Sequence, residues 1–100
     1  MIDFSEIGVF LNESNKVVLY PAKRKKKLVV LFYLSQKFDR GKEYSEKEIN
    51  EILSQWHTFN DVAILRRELC DHHFLARDKA GLKYWLQEVQ PTLEDNLNKY

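Results

Sequence analysis

The chain has 100 residues, 44% of them hydrophobic and 31% charged, with a formal net charge of +1. A chain of this size buries roughly 60% of the surface it exposes when unfolded, enough for one modest core, so a single domain over residues 1–100 is expected. The lone cysteine, Cys70, excludes an internal disulfide, and the longest apolar run, Leu28 to Leu34, is too short to cross a bilayer. With no apolar leader at the N-terminus, the expectation is a cytoplasmic protein without membrane association.

In chain order, Phe4, Ile7, Phe10 and Leu11 fall at helical spacing, and Lys16 to Tyr20 is a short β-branched run stopped by Pro21. Residues 1–21 thus read as an extension made of a short helix and then a strand or extended arm. A helix is predicted over 22–38. Leu28, Leu31, Phe32 and Ser35 share one face, and Val29, Val30 and Tyr33 surround the rest. A helix apolar on nearly every side needs cover on more than one side. Either the N-terminal extension supplies it, or a second copy does in a homodimer.

Ser45 opens the next helix, with Glu48 three residues on, which is the pattern of a capping box. Ile49, Ile52, Leu53 and Trp56 then form one apolar stripe. A further helix is expected from about Asn60 to His73, with Asn60 as cap, Asp61 in the first turn, and Val62, Leu65 and Leu69 on the buried face. The linker of about four residues suits a helix-turn-helix. Leu75, Ala76 and Arg77 read as one strand, and Leu82, Tyr84 and Leu86 alternate as a second. Asp78 to Gly81 form the turn, with Gly81 supplying a positive φ. After Pro91, Leu93, Leu97 and Tyr100 make a small apolar stripe in a tail over 87–100, free to dock on the same core or on a second subunit. The predicted class is α+β, mainly α: a winged helix-turn-helix core over 22–86, with a short N-terminal extension and a small β-hairpin wing.

Four sequence pieces in this order carry a resemblance: KRKKKLVVLFYL, F-x-x-G-x-x-YSEKEIN, D-x-x-x-LRREL and L-x-R-x-x-x-G-x-x-Y, together spanning Pro21 to Tyr84. On them the chain resembles a family of uncharacterised bacterial domains of winged-helix type, found alone or behind ArsR-type regulator heads. The resemblance implies a fold and a regulatory role, and carries over no catalytic or binding residue. No separate regulator head is expected here, since only about twenty residues precede the shared region.

Charge is concentrated. Lys23, Arg24, Lys25, Lys26 and Lys27 contribute +5, leaving the remainder of the chain at −4. Cations at a helix start oppose the macrodipole by roughly 0.3 to 1 kcal/mol each. Two readings fit the run: contact with a phosphate backbone, or a solvated face whose lysine stems cover apolar surface. The predicted recognition helix is acidic by comparison, with Asp61, Glu68 and Asp71 against Arg66 and Arg67. Arg67 points outward with Ala63, Ile64 and Asp71 and is the candidate for base or phosphate contact. Arg66, beside the buried stripe, is expected to pair with a carboxylate such as Glu46 or Glu48 and fasten the two helices. Glu68 reads equally well as structural. In the predicted wing, Arg77, Lys79 and Lys83 outweigh Asp78 and offer a handle for backbone contact, although solvated hairpins share that pattern.

Trp85 lies opposite Tyr84 and Leu86 on its strand. It is a candidate partner-binding residue, unless the segment after Pro91 covers it. Cys70, His72, His73 and His57 carry the thiol and imidazole groups that suit a metal, but no second closely spaced pair supports them, so a helix-ending role for His72 or His73 is expected and no metal. No nucleophile motif, phosphate-cradling glycine loop or acid-base carboxylate pair is present, so neither catalysis nor a cofactor is expected. Two functions remain: a DNA-binding regulator with duplex DNA as partner, or a non-enzymatic protein-interaction or dimerisation module on the same scaffold.

Overall fold

The computed structural model describes Gly8 and residues 10–87. Its elements are α1 (Arg24–Ser35), α2 (Glu46–Gln55), α3 (Val62–Asp71), β1 (Leu75–Arg77) and β2 (Tyr84–Leu86). The protein is a small, mainly helical α+β structure of three helices and a two-stranded antiparallel hairpin. The proposed helix at Phe4 and Ile7 and the stripe at Leu93, Leu97 and Tyr100 lie outside the described residues.

The first helix is shorter than predicted, and Lys23 stands at its N-cap without a side-chain cap. Residues 36–38 leave the helix as a turn, with the amides of Gln36, Lys37 and Phe38 each reaching back three residues. The all-round apolar character of α1 is accounted for: Leu28, Val29, Val30, Leu31 and Leu34 are all buried. Part of the cover comes from the N-terminal extension. Val17 is wholly buried, and Phe10, Leu11 and Tyr20 pack on the same core. Of the two readings of Lys16 to Tyr20, a strand or an extended arm, the described residues show no strand there but bridges at Val17, which meets Leu11 on one side and His57 on the other. The Val17 amide donates to the Trp56 carbonyl at 2.8 Å, and its own carbonyl accepts from Thr58 at 3.0 Å.

The capping box at α2 forms as its spacing requires. Ser45 Oγ accepts from the Glu48 amide at 3.1 Å, and Glu48 Oε1 accepts from the Ser45 amide at 2.9 Å. The Ser45 amide holds the Glu48 carboxyl below its usual range. The cap of α3 differs from expectation. Asp61, not Asn60, accepts from the Ile64 amide, at 3.3 Å. Asn60 has a φ of 52°, and asparagine is among the few residues that tolerate this left-handed conformation. Asn60 therefore shapes the turn and passes the cap to its neighbour. On the buried face Leu65 and Leu69 are fully enclosed, and Val62 is half-buried.

At the other end of α3, His72 is the C-cap and His73 follows with a φ of 67°. The Phe74 amide reaches the Leu69 carbonyl at 2.9 Å and the His73 amide that of Cys70 at 3.1 Å. These are the paired bonds of a Schellman motif, with histidine where glycine is favoured. Replacing His73 with Gly is expected to raise stability by about 0.5 to 1 kcal/mol, seen as a higher urea midpoint at unchanged slope.

The helix α3 packs against α1, α2 and β1 and so occupies the centre of the molecule. In the hairpin, Leu75 pairs with Leu86, Ala76 with Trp85 and Arg77 with Tyr84. Asp78 organises the turn: its carboxylate accepts from the amides of Leu82 at 2.7 Å and Lys83 at 3.3 Å. Gly81 has a φ of 70° there. Leu82, predicted within the second strand, lies before β2 and is 69% exposed. The turn bonds of Asp78 occupy the Leu82 and Lys83 amides, which delays strand pairing to Tyr84. Tyr44 adds a third backbone segment beside β2, exchanging two hydrogen bonds of 2.7 Å with Tyr84.

Candidate nucleic-acid interface

The outer side of α3 and the near edge of the hairpin enclose an open cleft of about 850 Å³. It is lined by Asp61, Ala63 and Arg67 from the α3 side and by Ala76, Arg77 and Tyr84 from the hairpin. Arg67 and Arg77 are brought together in this cleft, and both are exposed. Ala63 and Asp71 are exposed as predicted, whereas Ile64 is half-buried against the core. Arg67 has no ion pair among the described residues. Arg66 does what its position implied. Its guanidinium lies 3.4 Å from Glu46 and donates to Asn50 Oδ1 at 2.6 Å, tying α3 to α2. Cys70 lines the same cleft, and burial pushes its thiol up, with Asp71 adding to that effect and Arg77 and Arg66 opposing it.

Lys23 to Lys27 do not line this cleft. Lys23 and Lys25 are exposed, and Arg24 and Lys26 are half-buried. Lys27 turns inward, 3.7 Å from Glu68 and 5.3 Å from the centre of the Tyr20 ring. Of the hairpin cations, Lys79 is exposed in the turn, and Lys83 lies 3.7 Å from Glu43 with both side chains well exposed. Trp85 is half-buried and lines not this cleft but a second groove of about 830 Å³, with Arg40, Lys42 and Glu43.

Two polar centres were not legible as such in the sequence. Glu68 receives the Tyr20 hydroxyl at 3.2 Å and also meets Lys27 and His72, the latter at 3.6 Å. Its structural role joins the extension, α1 and α3. Burial, then the Glu68 charge and hydrogen bond, push the Tyr20 hydroxyl well above its ordinary range. The folded protein thus holds this proton where the unfolded chain, with a phenol near 10.0, releases it. The stabilisation is fully present below pH 10 and is lost as pH rises above it. Tyr20→Phe is expected to flatten the alkaline fall in stability, measured by urea unfolding across that range. A residual slope is expected from Tyr33, whose hydroxyl burial also raises.

His57, weighed above as a metal ligand, is instead the second centre. Its ring is 5% exposed and bridges the Leu53 carbonyl, 2.7 Å from Nδ1, and the Asp61 amide, which donates to Nε2 at 3.0 Å. A buried histidine just after a helix and four residues before an N-cap was the available signal. Among the described residues no group of three or more histidine, cysteine, aspartate or glutamate side chains is placed to hold a metal, and no helix is long and apolar enough to cross a membrane.

The family model DUF2087, described as an uncharacterized protein conserved in bacteria, matches residues 16–86. No curated protein and no solved structure matches the chain. The matched span starts beside the buried Val17 and ends at the last residue of β2, taking in all three helices and the hairpin. The chain belongs to the DUF2087 family of uncharacterized proteins conserved in bacteria.

Proposed function

We propose that this domain is a winged-helix DNA-binding module of a cytoplasmic transcriptional regulator, with α3 as the recognition helix. The observation that carries the reading is that the exposed Arg67 of α3 and the exposed Arg77 of the hairpin line one open cleft. The order of helices and hairpin, with Tyr44 adding a bridge beside β2, is consistent with a winged-helix layout. In this reading Arg67 reaches a base edge or phosphate in the major groove, and Arg77, Lys79 and Lys83 meet the adjoining backbone. In this reading the basic run Lys23 to Lys27 adds phosphate contacts at the start of α1. A homodimer would place two such helices on successive half-sites.

Binding to random duplex DNA is expected to weaken steeply between about 50 and 200 mM salt, measured by fluorescence anisotropy. Arg67→Ala is expected to weaken binding by about tenfold or more without changing the unfolding midpoint. Duplex affinity absent at low salt would sink the proposal.

One observation favours a second reading, a non-enzymatic protein-interaction module. The three arginines lining the cleft are matched by Glu46, Asp61 and Asp71, so its field is close to neutral. Nucleic-acid surfaces are generally basic. Under this reading the same titration shows no salt-dependent duplex binding, and Trp85 is the anchor for a protein partner.

A further inference from the structure

We infer that the groove behind the hairpin binds single-stranded nucleic acid, stacking an unpaired base on Trp85 and holding phosphates on Arg40 and Lys42. The groove exists because Tyr44 exchanges both of its backbone hydrogen bonds with Tyr84. That pairing lays residues 40–43 alongside Trp85 and Leu86. Gly41, with a φ of 75°, turns the segment and leaves Arg40 and Lys42 exposed on either side of it.

Electrostatics separate this groove from the α3 cleft. Among the described residues lining it Glu43 is the one carboxylate, and Lys83 already lies 3.7 Å from that carboxylate. The described lining therefore carries an excess of positive charge from Arg40 and Lys42, with Lys42 Nζ 5.0 Å from the centre of the Tyr44 ring and its charge also felt by Glu48. An open groove with such an excess concentrates polyanions.

The aromatic group narrows the class of polyanion. Trp85 alternates with Tyr84 and Leu86, which are both buried, so its indole stands on the outer face of the hairpin and is half-buried there. A cationic groove beside an aromatic platform is how proteins hold single strands without reading sequence. Paired bases in a duplex are closed to an indole at its surface, and an acidic peptide would use the cations without needing the ring. An unpaired base with its phosphates satisfies both. The inference stands apart from the duplex-binding proposal, which concerns the cleft beside α3; among the described residues the two share only Gln87.

The test is titration of the full chain with an oligothymidylate of about ten nucleotides, read by indole fluorescence and by anisotropy of a labelled strand. Quenching is expected, with affinity that falls as salt rises. Trp85→Phe should weaken binding about fivefold or more and remove most of the quenching, since Trp56 packs on the core under Lys37. Combined Arg40→Ala and Lys42→Ala, both at exposed positions, should lower the logarithmic salt slope by about 1.4. Arg67→Ala should leave strand binding unchanged. The inference is overturned if no strand binds at low salt, if the groove variants bind as the parent does, or if polyglutamate competes equally and with the same residue dependence. Duplex binding that needs Arg67 without strand binding would sink this inference and leave the regulator reading standing; strand binding without duplex affinity would do the reverse.

Discussion

His57→Ala is expected to lower the unfolding free energy by about 3 kcal/mol, a large fraction of what a domain of this size has to spare. The imidazole sits at the junction of α2 and α3. With Nδ1 carrying the proton, it donates to the Leu53 carbonyl, which also accepts from the Trp56 amide at 3.0 Å, and Nε2 accepts from the Asp61 amide. Alanine takes the imidazole from the Asp61 amide and leaves the Leu53 carbonyl with the Trp56 amide alone, a loss of about 1 to 3 kcal/mol where the group stays buried. It also removes the ring that meets Phe59 edge-on, with centroids 4.6 Å apart. Because Asp61 caps α3, the loss acts on the angle between the helices as well as on the turn. Urea unfolding would show a lower midpoint at nearly unchanged slope. A midpoint within about 0.5 kcal/mol of the parent would mean that water or a neighbour replaces the ring, and that the junction is held by Val17 and the apolar stripe alone.

Tyr84→Ala is expected to cost about 3 to 4 kcal/mol, and Tyr84→Phe almost nothing. The side chain is 2% exposed and belongs to the core. Its loss leaves a ring-sized void in the core, which the packed side chains around it fill only in part. The hydroxyl makes no hydrogen bond among the described residues, so its removal leaves no buried partner unpaired. The contrast separates ring packing from hydrogen bonding by two unfolding curves. It also has a functional reading. Tyr84 holds Tyr44 on one side and Arg77 on the other, so the alanine variant should loosen the hairpin and displace Arg77 from Arg67. Equal losses in both variants would place the energy in the hydroxyl.

Much of the fold was legible locally. The capping box at Ser45, the stripe of Ile49 and Leu53, the face of Leu65 and Leu69, and the turn at Gly81 all appear in their predicted elements. The corrections are local as well, but they turn on conformations that share a residue type. Asparagine serves both as a cap and in the left-handed region, and only the backbone path between α2 and α3 assigned Asn60 to the second use. Leu82 alternates correctly for a strand, yet the Asp78 carboxylate takes the amides of Leu82 and Lys83. Arg66 was legible as a helix fastener because its place beside the buried stripe put it within reach of the first turn of α2.

By itself the sequence determined where α2 starts, which faces α2 and α3 bury and where the hairpin turns. Each of these depends on spacing within one or two turns of chain, where propensity, capping and periodicity act. Tertiary structure alone decided that Val17 belongs to the core, that Lys27 and Tyr20 converge on Glu68, and that Arg40 and Lys42 flank Trp85. Those partners are far apart in the chain, as with Tyr20 and Glu68 at a separation of 48 residues. No short-range rule relates such residues. They meet because helices and hairpin must share one small core, and the polar and charged groups at its edge settle wherever that packing brings them together.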